Sequence, residues 1–441
     1  MIYTLLKQLF RWAFKVYFRK INIQWAEPMA KNRPTVFVAN HPSALMDGLL
    51  IAGLVDQELH FMSRGESFDK PFKRWLFAQF HMHPIYRQEF TPQLTHLNPQ
   101  QMGAFQQMLI QGNNLLIFPE GLSKTELRLR KVKSGAARVV LGAMAATDYE
   151  LDVQLIPIGL NYSDPHRFRS EVSICFGKPI SLDNYVALNQ VQPRKAVQAL
   201  TSEIAAAIGA LTVEVEEKQL DELVLSLDQL CEQELRRPTS RERRQEVARA
   251  VNYFSRFRPD VLCRLRPLIH DYRKRLKGFQ LDDHRLLQLA ASSGTRLLSL
   301  LPALPLFLYS YLNSWPTLKL SRWLAQRLTR RPDFYGSLLL AFGVLCTVLF
   351  LGVQLGLVYW LTASSAATLL YALSLPLACW LGLRYYSDFR MLWQWGQLCL
   401  GPTASWRQLA GLLEEREHLL RELRQCWQLY HHWRQEQGER R

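Results

Sequence analysis

The chain has no cysteine pair at CxxC or any other metal-ligating spacing, and its seven cysteines (Cys175, Cys231, Cys263, Cys346, Cys379, Cys399 and Cys426) are odd in number. This argues against a disulfide framework and against a metal-organised fold, and a reducing compartment fits better. No internal repeat is visible, which sets solenoid architectures aside. Acidic residues are few: 38 Asp and Glu stand against 54 Lys and Arg, for a net charge of +16 and a pI near 9.6. Such an imbalance implies an anionic partner, whether nucleic acid, an anionic membrane surface or a phosphorylated substrate. The basic runs lack aromatic residues interleaved in a recognisable module, so nucleic acid is not expected. Gly121-Leu122-Ser123-Lys124-Thr125 fails to complete a G-x-S-x-G elbow, which counts against a serine esterase. The apolar N-terminus is interrupted by Lys7, Arg11, Lys15, Arg19 and Lys20 and lacks a small-residue cleavage site, so it reads as retained and not as a signal peptide.

What is present divides the 441 residues into five stretches. In residues 1–22, a basic amphipathic helix with Tyr3, Phe10, Trp12, Phe14, Tyr17 and Phe18 suits the interface of an anionic bilayer. Residues 23–183 alternate strand-like segments (Thr35 to Ala39, Leu59 to Met62, Pro84 to Tyr86, Leu115 to Phe118, Gln154 to Leu160, Glu171 to Phe176) with helix-like ones at about 44–54, 70–80, 101–111 and 133–146. The fold class expected is α/β, a central mixed sheet flanked by helices, with loops after several strands converging on one edge. Residues 184–290 read as helical and rich in arginine, either a solvated face or a lipid-docking one. Residues 291–390 form a membrane region. Gly336 to Leu361 contains no charge over 26 residues and Ala366 to Leu383 follows after a short link, giving a transmembrane helical hairpin. Arginines outside both ends place those ends, and the catalytic domain with them, on the cytoplasmic face. Leu297 to Leu312 holds Pro302 and Pro305 and stays unassigned, and residues 391–441 read as a cytoplasmic helical tail.

Chemistry is concentrated in Thr35 to Asp47, TVFVANHPSALMD. Val36, Phe37 and Val38 are β-formers and Asn40-His41-Pro42 cannot continue a central strand, so His41 falls at a strand end. Ser43 reads as the N-cap of a helix that carries Asp47 in its first turn. A carboxylate there can fix the imidazole tautomer and support its positive form, as a general base requires. His83 to Arg87, HPIYR, ends another strand in an arginine, a fork-shaped donor suited to phosphate. Leu115 to Ser123, LLIFPEGLS, ends a third in Pro119-Glu120-Gly121 before Lys124, Arg128, Arg130, Lys131 and Lys133. A glycine lets backbone N–H groups approach an anion, and Ser134-Gly135-Ala136 can open a helix whose N-terminus favours negative charge.

In this order the three stretches resemble the glycerolipid acyltransferase family, over about residues 30–180, and within it the branch that acts on glycerol 3-phosphate or dihydroxyacetone phosphate. Asn40, His41 and Asp47 match the first motif, Arg87 the second, and Phe118, Pro119, Glu120, Gly121 and Ser123 the third; Ile156-Pro157-Ile158 matches a fourth. The resemblance implies an O-acyltransferase that moves a fatty acyl group from acyl-CoA or acyl carrier protein to one of those two acceptors, with no cofactor and no metal. A lysophosphatidate acyltransferase and a catalytically inactive scaffold on the same fold are the alternatives. It also implies His41 as the base, Asp47 as its orienting acid and no covalent acyl-enzyme. Asn40, Arg87, Glu120, Gly121, Ser123 and Lys133 would hold the acceptor, Glu120 through a glycerol hydroxyl or by anchoring a basic residue. The family pattern has one residue fewer between His and Asp than the five found here, so whether Asp47 reaches His41 is a geometric question.

Overall fold

A computed structural model of the chain describes residues 2–30, 32–86, 91–232, 234–235, 239–291, 298–329, 331–400 and 403–439. The chain divides into two compact units, one made of Met1–Glu214, Thr239–Arg241 and Thr329–Leu340, the other of Val215–Pro238, Glu242–Leu328 and Ala341–Arg441.

The first unit is built on a seven-stranded sheet. Its strands are β1 (Lys20–Trp25), β2 (Thr35–Ala39), β3 (Leu59–Arg64), β4 (Met82–Ile85), β5 (Asn114–Ile117), β6 (Gln154–Tyr162) and β7 (Glu171–Phe176), in the spatial order β1-β7-β6-β2-β5-β3-β4. All neighbours pair in parallel except β6 with β7, so the sheet is mixed, as expected. The parallel block β6-β2-β5-β3-β4 sends every strand's C-terminal end to one edge, where open α/β sheets place their ligands. β2 is buried along its whole length, which its continuous apolar run anticipates. Helices α1 (Ile2–Tyr17), α2 (Ala44–Leu54), α3 (Pro71–Gln79), α4 (Asn98–Ile110), α5 (Gly135–Ala145), α6 (Asp183–Val191) and α7 (Pro193–Leu211) accompany the sheet. One core joins Val36 and Val38 of β2, Leu115 of β5, Val139 and Val140 of α5, and Leu200 and Ile204 of α7.

Two expectations for this unit need correction. Residues 1–22 are not a separate interfacial segment, because α1 packs on α2 and β1 is an edge strand paired with β7. The polarity of α1 explains how. Lys7 Nζ donates to the Asp56 and Gln57 carbonyls, and Arg11 bonds the Gly53 carbonyl and pairs with Asp56 at 3.2 Å. Two of its cations therefore face the protein, while Leu5 (70 % exposed), Leu9, Trp12 (68 % exposed) and Val16 form a stripe turned outward. Phe14 and Tyr17 are buried on the inner face, so the helix is apolar on two sides, and the outward stripe is what an interfacial helix requires. The second correction concerns Ser43, which makes no side-chain capping bond to α2.

The second unit is helical throughout its described residues. The arginines of its basic run are largely committed to carboxylates: Arg243 and Arg244 to Asp228, Arg273 to Glu222, Arg264 to Glu422 and Arg275 to Glu415. Arg244 and, for the most part, Arg243 are buried with Asp228, whereas Arg264 and Arg275 stay mostly exposed in surface ion pairs. The tail beyond residue 391 is no loose appendage. Its helix Thr403–Glu439 packs along Pro259–Gly278, buries Leu409, Leu412, Leu419 and Leu420, and seats Arg416 on Asp283 at 2.9 Å. Leu304 to Leu312 opens a helix, Leu304–Leu328, that packs on Ser365–Leu400 through a Phe307–Phe389 ring stack at 4.2 Å; residue 297 lies outside the described residues. Asn313 Oδ1 accepts hydrogen bonds from Gln354 Nε2 (2.8 Å) and the Tyr371 hydroxyl (2.6 Å), a polar tie among otherwise apolar helices. Two helices, Pro332–Thr362 and Ser365–Tyr386, are long and apolar enough to cross a membrane by length and composition.

Candidate active site

His41 stands immediately after β2, and its position is fixed from several sides. Its backbone N–H donates to Glu120 Oε1 (2.8 Å), its carbonyl accepts from the Lys124 N–H (3.1 Å), and its ring stacks on Phe118 with centroids 4.1 Å apart. Asn40 explains why the strand stops cleanly. Its side-chain amide donates to the Leu160 carbonyl (2.9 Å) and accepts from the Leu160 N–H (2.7 Å), so a side chain takes the place of the next rung of the β2–β6 ladder.

The five-residue spacing closes. Asp47 Oδ2 lies 2.9 Å from His41 Nδ1, and the extra residue is absorbed where Ala44 takes a left-handed φ of +43° at the head of α2. Asp47 is wholly buried, and three donors converge on its carboxylate: His41 Nδ1 and the Ser43 N–H (2.7 Å) on Oδ2, and the Tyr162 hydroxyl (2.7 Å) on Oδ1. An ionised carboxylate only accepts, so Nδ1 carries the proton and Nε2 presents its lone pair. The His41 side chain retains 19 % exposure. A buried acid behind a partly exposed imidazole is the arrangement of a general base.

Sequence reasoning missed Tyr162. It ends β6, is fully buried, and its hydroxyl pKa is pushed well above the usual value by burial and by the Asp47 charge, so it stays a donor to Oδ1. The tyrosine lies 115 residues from its partner in the chain, and only the β2–β6 pairing brings them together.

The expected acceptor-binding residues divide into two groups. Asn40, Glu120 and Ser123 each bond backbone groups of the loops around the site. Glu120 Oε1 holds the His41 N–H and Oε2 the Arg130 N–H (3.2 Å), and burial raises its carboxyl pKa to about 6. The residue does anchor a basic partner, but through Arg130's backbone. Ser123 Oγ accepts the Ala44 N–H (2.7 Å), supplying the cap that Ser43 does not. Gly121 adopts φ +71° and its N–H donates to the Phe118 carbonyl (3.1 Å), so that group is not directed at an anion. What Gly121 provides is room, since a Cβ there would stand 2.9 Å from Lys133 Nζ. The Lys133 ammonium consequently lies across the turn that follows β5. Arg87 lies outside the described residues. Arg64, which ends β3 at the same edge of the sheet, was not singled out from sequence, and its guanidinium lies 4.8 Å from the Phe334 ring centre.

Residues 20–161 match the family model described as Acyltransferase. Glycerol-3-phosphate O-acyltransferase 2 of Saccharomyces cerevisiae is 30% identical over 177 residues, covering 39% of this chain and 23% of that protein. Glycerol-3-phosphate O-acyltransferase 1 of the same yeast is 34% identical over 108 residues, covering 24% and 14%. The chain thus matches less than a quarter of the length of each of these relatives. A solved 1-acyl-sn-glycerophosphate (LPA) acyltransferase from Thermotoga maritima aligns at 16% identity and a TM-score of 0.35, over 46% of this chain and 76% of that one. Likeness at that level bears on neither fold nor substrate.

Proposed function

We propose, from the match of residues 20–161 to the acyltransferase family model, that the chain transfers a fatty acyl group from an acyl thioester to the hydroxyl of glycerol 3-phosphate or dihydroxyacetone phosphate, in phospholipid synthesis at the cytoplasmic face of a membrane. The observation that carries the reading is the 2.9 Å contact between His41 Nδ1 and Asp47 Oδ2. In the reaction Nε2 takes the acceptor's hydroxyl proton as the oxygen attacks the thioester carbonyl. A C–O bond forms, the C–S bond breaks, and the imidazolium returns its proton to the departing thiolate. Proton transfer of this kind contributes roughly 10²–10⁴-fold. No side chain need be acylated.

The acceptor phosphate is assigned to Lys133 beside Gly121, with Arg64 at the end of β3 as a further cation at that edge, and to Arg87 on the strength of its sequence motif alone. Acyl-CoA and acyl carrier protein both present the thioester this chemistry needs. A greasy donor and a lipid product favour a site held at a bilayer, and three features support that placement: the outward stripe Leu5, Leu9, Trp12 and Val16, and the two long apolar helices acting as a membrane hairpin. The names of the two yeast relatives favour glycerol 3-phosphate over an acceptor that already bears a chain.

An acceptor panel tests this directly. Membranes containing the protein are given labelled palmitoyl-CoA or palmitoyl acyl carrier protein with glycerol 3-phosphate, dihydroxyacetone phosphate or lysophosphatidate. Label is expected in a monoacylated glycerol or dihydroxyacetone phosphate. Label entering lysophosphatidate alone would replace the acceptor assignment with the second acylation step. No transfer from either donor by folded protein would favour a scaffold that kept the fold without turnover.

A further inference from the structure

The helix Pro332–Thr362 begins within the first unit, and its opening turns lie against the loop that carries the catalytic pair. Ser337 is the residue at the contact. Its hydroxyl donates to the Ser43 carbonyl (3.1 Å) and accepts the Met46 backbone N–H (2.9 Å), so one side chain spans the first turn of α2 from outside. Ser43, Met46 and Ser337 are all buried.

That turn needs outside support. Ala44 holds a left-handed φ that a residue with a Cβ rarely adopts unless its surroundings impose it, and α2 has no side-chain cap from its own N-cap residue. Ser123 accepts the Ala44 N–H, and the Met46 N–H is shared between the Ser43 carbonyl (3.0 Å) and the Ser337 hydroxyl (2.9 Å), so two hydroxyls from distant parts of the chain reinforce the head of α2. The next residue in the chain after Met46 is Asp47. The approach of the helix is as close as the chemistry allows, because a Cβ on Gly336 would collide with the Pro165 carbonyl oxygen. Phe334, about one turn earlier, lies between the guanidinium groups of Arg64 (4.8 Å) and Arg331 (4.9 Å), which ties the same helix head to the end of β3.

We infer that Ser337 is a positioning residue for acyl transfer: it holds residues 43–46 so that Asp47 stays on His41, which makes the head of an apolar helix far along the chain a working part of the active site. Ser337 touches none of the reacting atoms and acts through the first turn of α2. The inference rests on the acyltransferase reading, and it places a determinant of turnover outside residues 20–161, where the family match ends.

The experiment uses the full chain in membranes, as wild type, Ser337→Ala and Ser337→Thr. It measures kcat and KM for donor and acceptor, and hydrogen exchange of peptides covering residues 41–47. Ser337→Ala is expected to lower kcat about tenfold, the effect of losing one hydrogen bond of this kind, with KM for both substrates within about twofold. Exchange across 41–47 should quicken while the β2 peptide stays protected, and Ser337→Thr, which keeps the hydroxyl, should restore both. Wild-type kcat in Ser337→Ala, unchanged exchange at 41–47, or equal loss in the threonine variant would each overturn the inference. Wild-type membranes that acylate no acceptor would sink the acyltransferase reading instead, and the exchange comparison would still decide whether Ser337 holds the turn.

Discussion

The first unit holds two groups of histidine at opposite ends of its parallel strands. At the C-terminal end, His41 is backed by a buried carboxylate and its side chain remains partly exposed. At the N-terminal end, His60 of β3, His83 of β4 and nearby His81 lie against one another, with His60 Nδ1 3.1 Å from His83 Nε2 and the His60 and His81 rings stacked at 4.7 Å. His81 stacks in turn on Tyr3 of α1, at 4.9 Å. No carboxylate is hydrogen-bonded to these three rings among the described residues, and they do not form a metal-binding set there. Burial, reinforced by neighbouring imidazoles, pushes the His83 pKa down to about 4 and lowers that of His60. Burial alone therefore yields neutral rings that pack. A base arises where a buried acid stands behind one nitrogen.

The contrast can be broken from either side. Asp47→Asn should have the largest effect, because an amide can donate to Nδ1 and so stabilise the wrong tautomer of His41. The expected loss of kcat is on the order of 10³-fold, measured in the acyl-transfer assay with folding checked by circular dichroism. Tyr162→Phe leaves that tautomer intact but strips Oδ1 of its donor. One hydrogen bond to a charged group is worth about 1.5–3 kcal/mol, so kcat should fall by tenfold or more with KM little changed. The smallest effect on turnover belongs to His83→Gln, which should leave kcat within about twofold of wild type while altering acid stability. A histidine whose folded pKa is depressed from 6.5 to about 4 contributes stability that is fully present above 6.5 and is lost as pH falls toward 4, since the unfolded chain takes up the proton first. Thermal unfolding of the wild type should therefore weaken across that window, and the glutamine variant should show a flatter profile. A loss of turnover in His83→Gln would mean that the two ends of the sheet are not functionally distinct.

Much of this was legible from sequence where the cause is local. Val36-Phe37-Val38 announced a buried strand, Asn40-His41-Pro42 its end, and Ala44 to Leu54 a helix bearing Asp47. The strand β1 escaped because its apolar residues Ile21, Ile23 and Trp25 alternate with polar ones in a short edge strand directly after a helix, and nothing nearby marks its partner β7. The site's supports escaped for the same reason. Tyr162 and Ser337 reach their partners across 115 and 291 residues, and a hydroxyl carries no periodicity that would point to them. Conversely, Asn40 and Glu120 carried a motif but not their role, since only the paired strands and loops reveal that backbone groups already occupy them. The ion pairs of Arg264 and Arg275 were not legible because their partners Glu422 and Glu415 lie far along the chain.

The central claim is that His41 takes the acceptor's proton. Its most direct test is the rate of acyl transfer from labelled palmitoyl-CoA in His41→Ala, assayed beside the wild type at equal membrane content. The account predicts a loss on the order of 10³-fold or more, with the protein still in the membrane fraction and β2 still protected from hydrogen exchange. Transfer at the wild-type rate in that variant would contradict it and remove His41 from the mechanism.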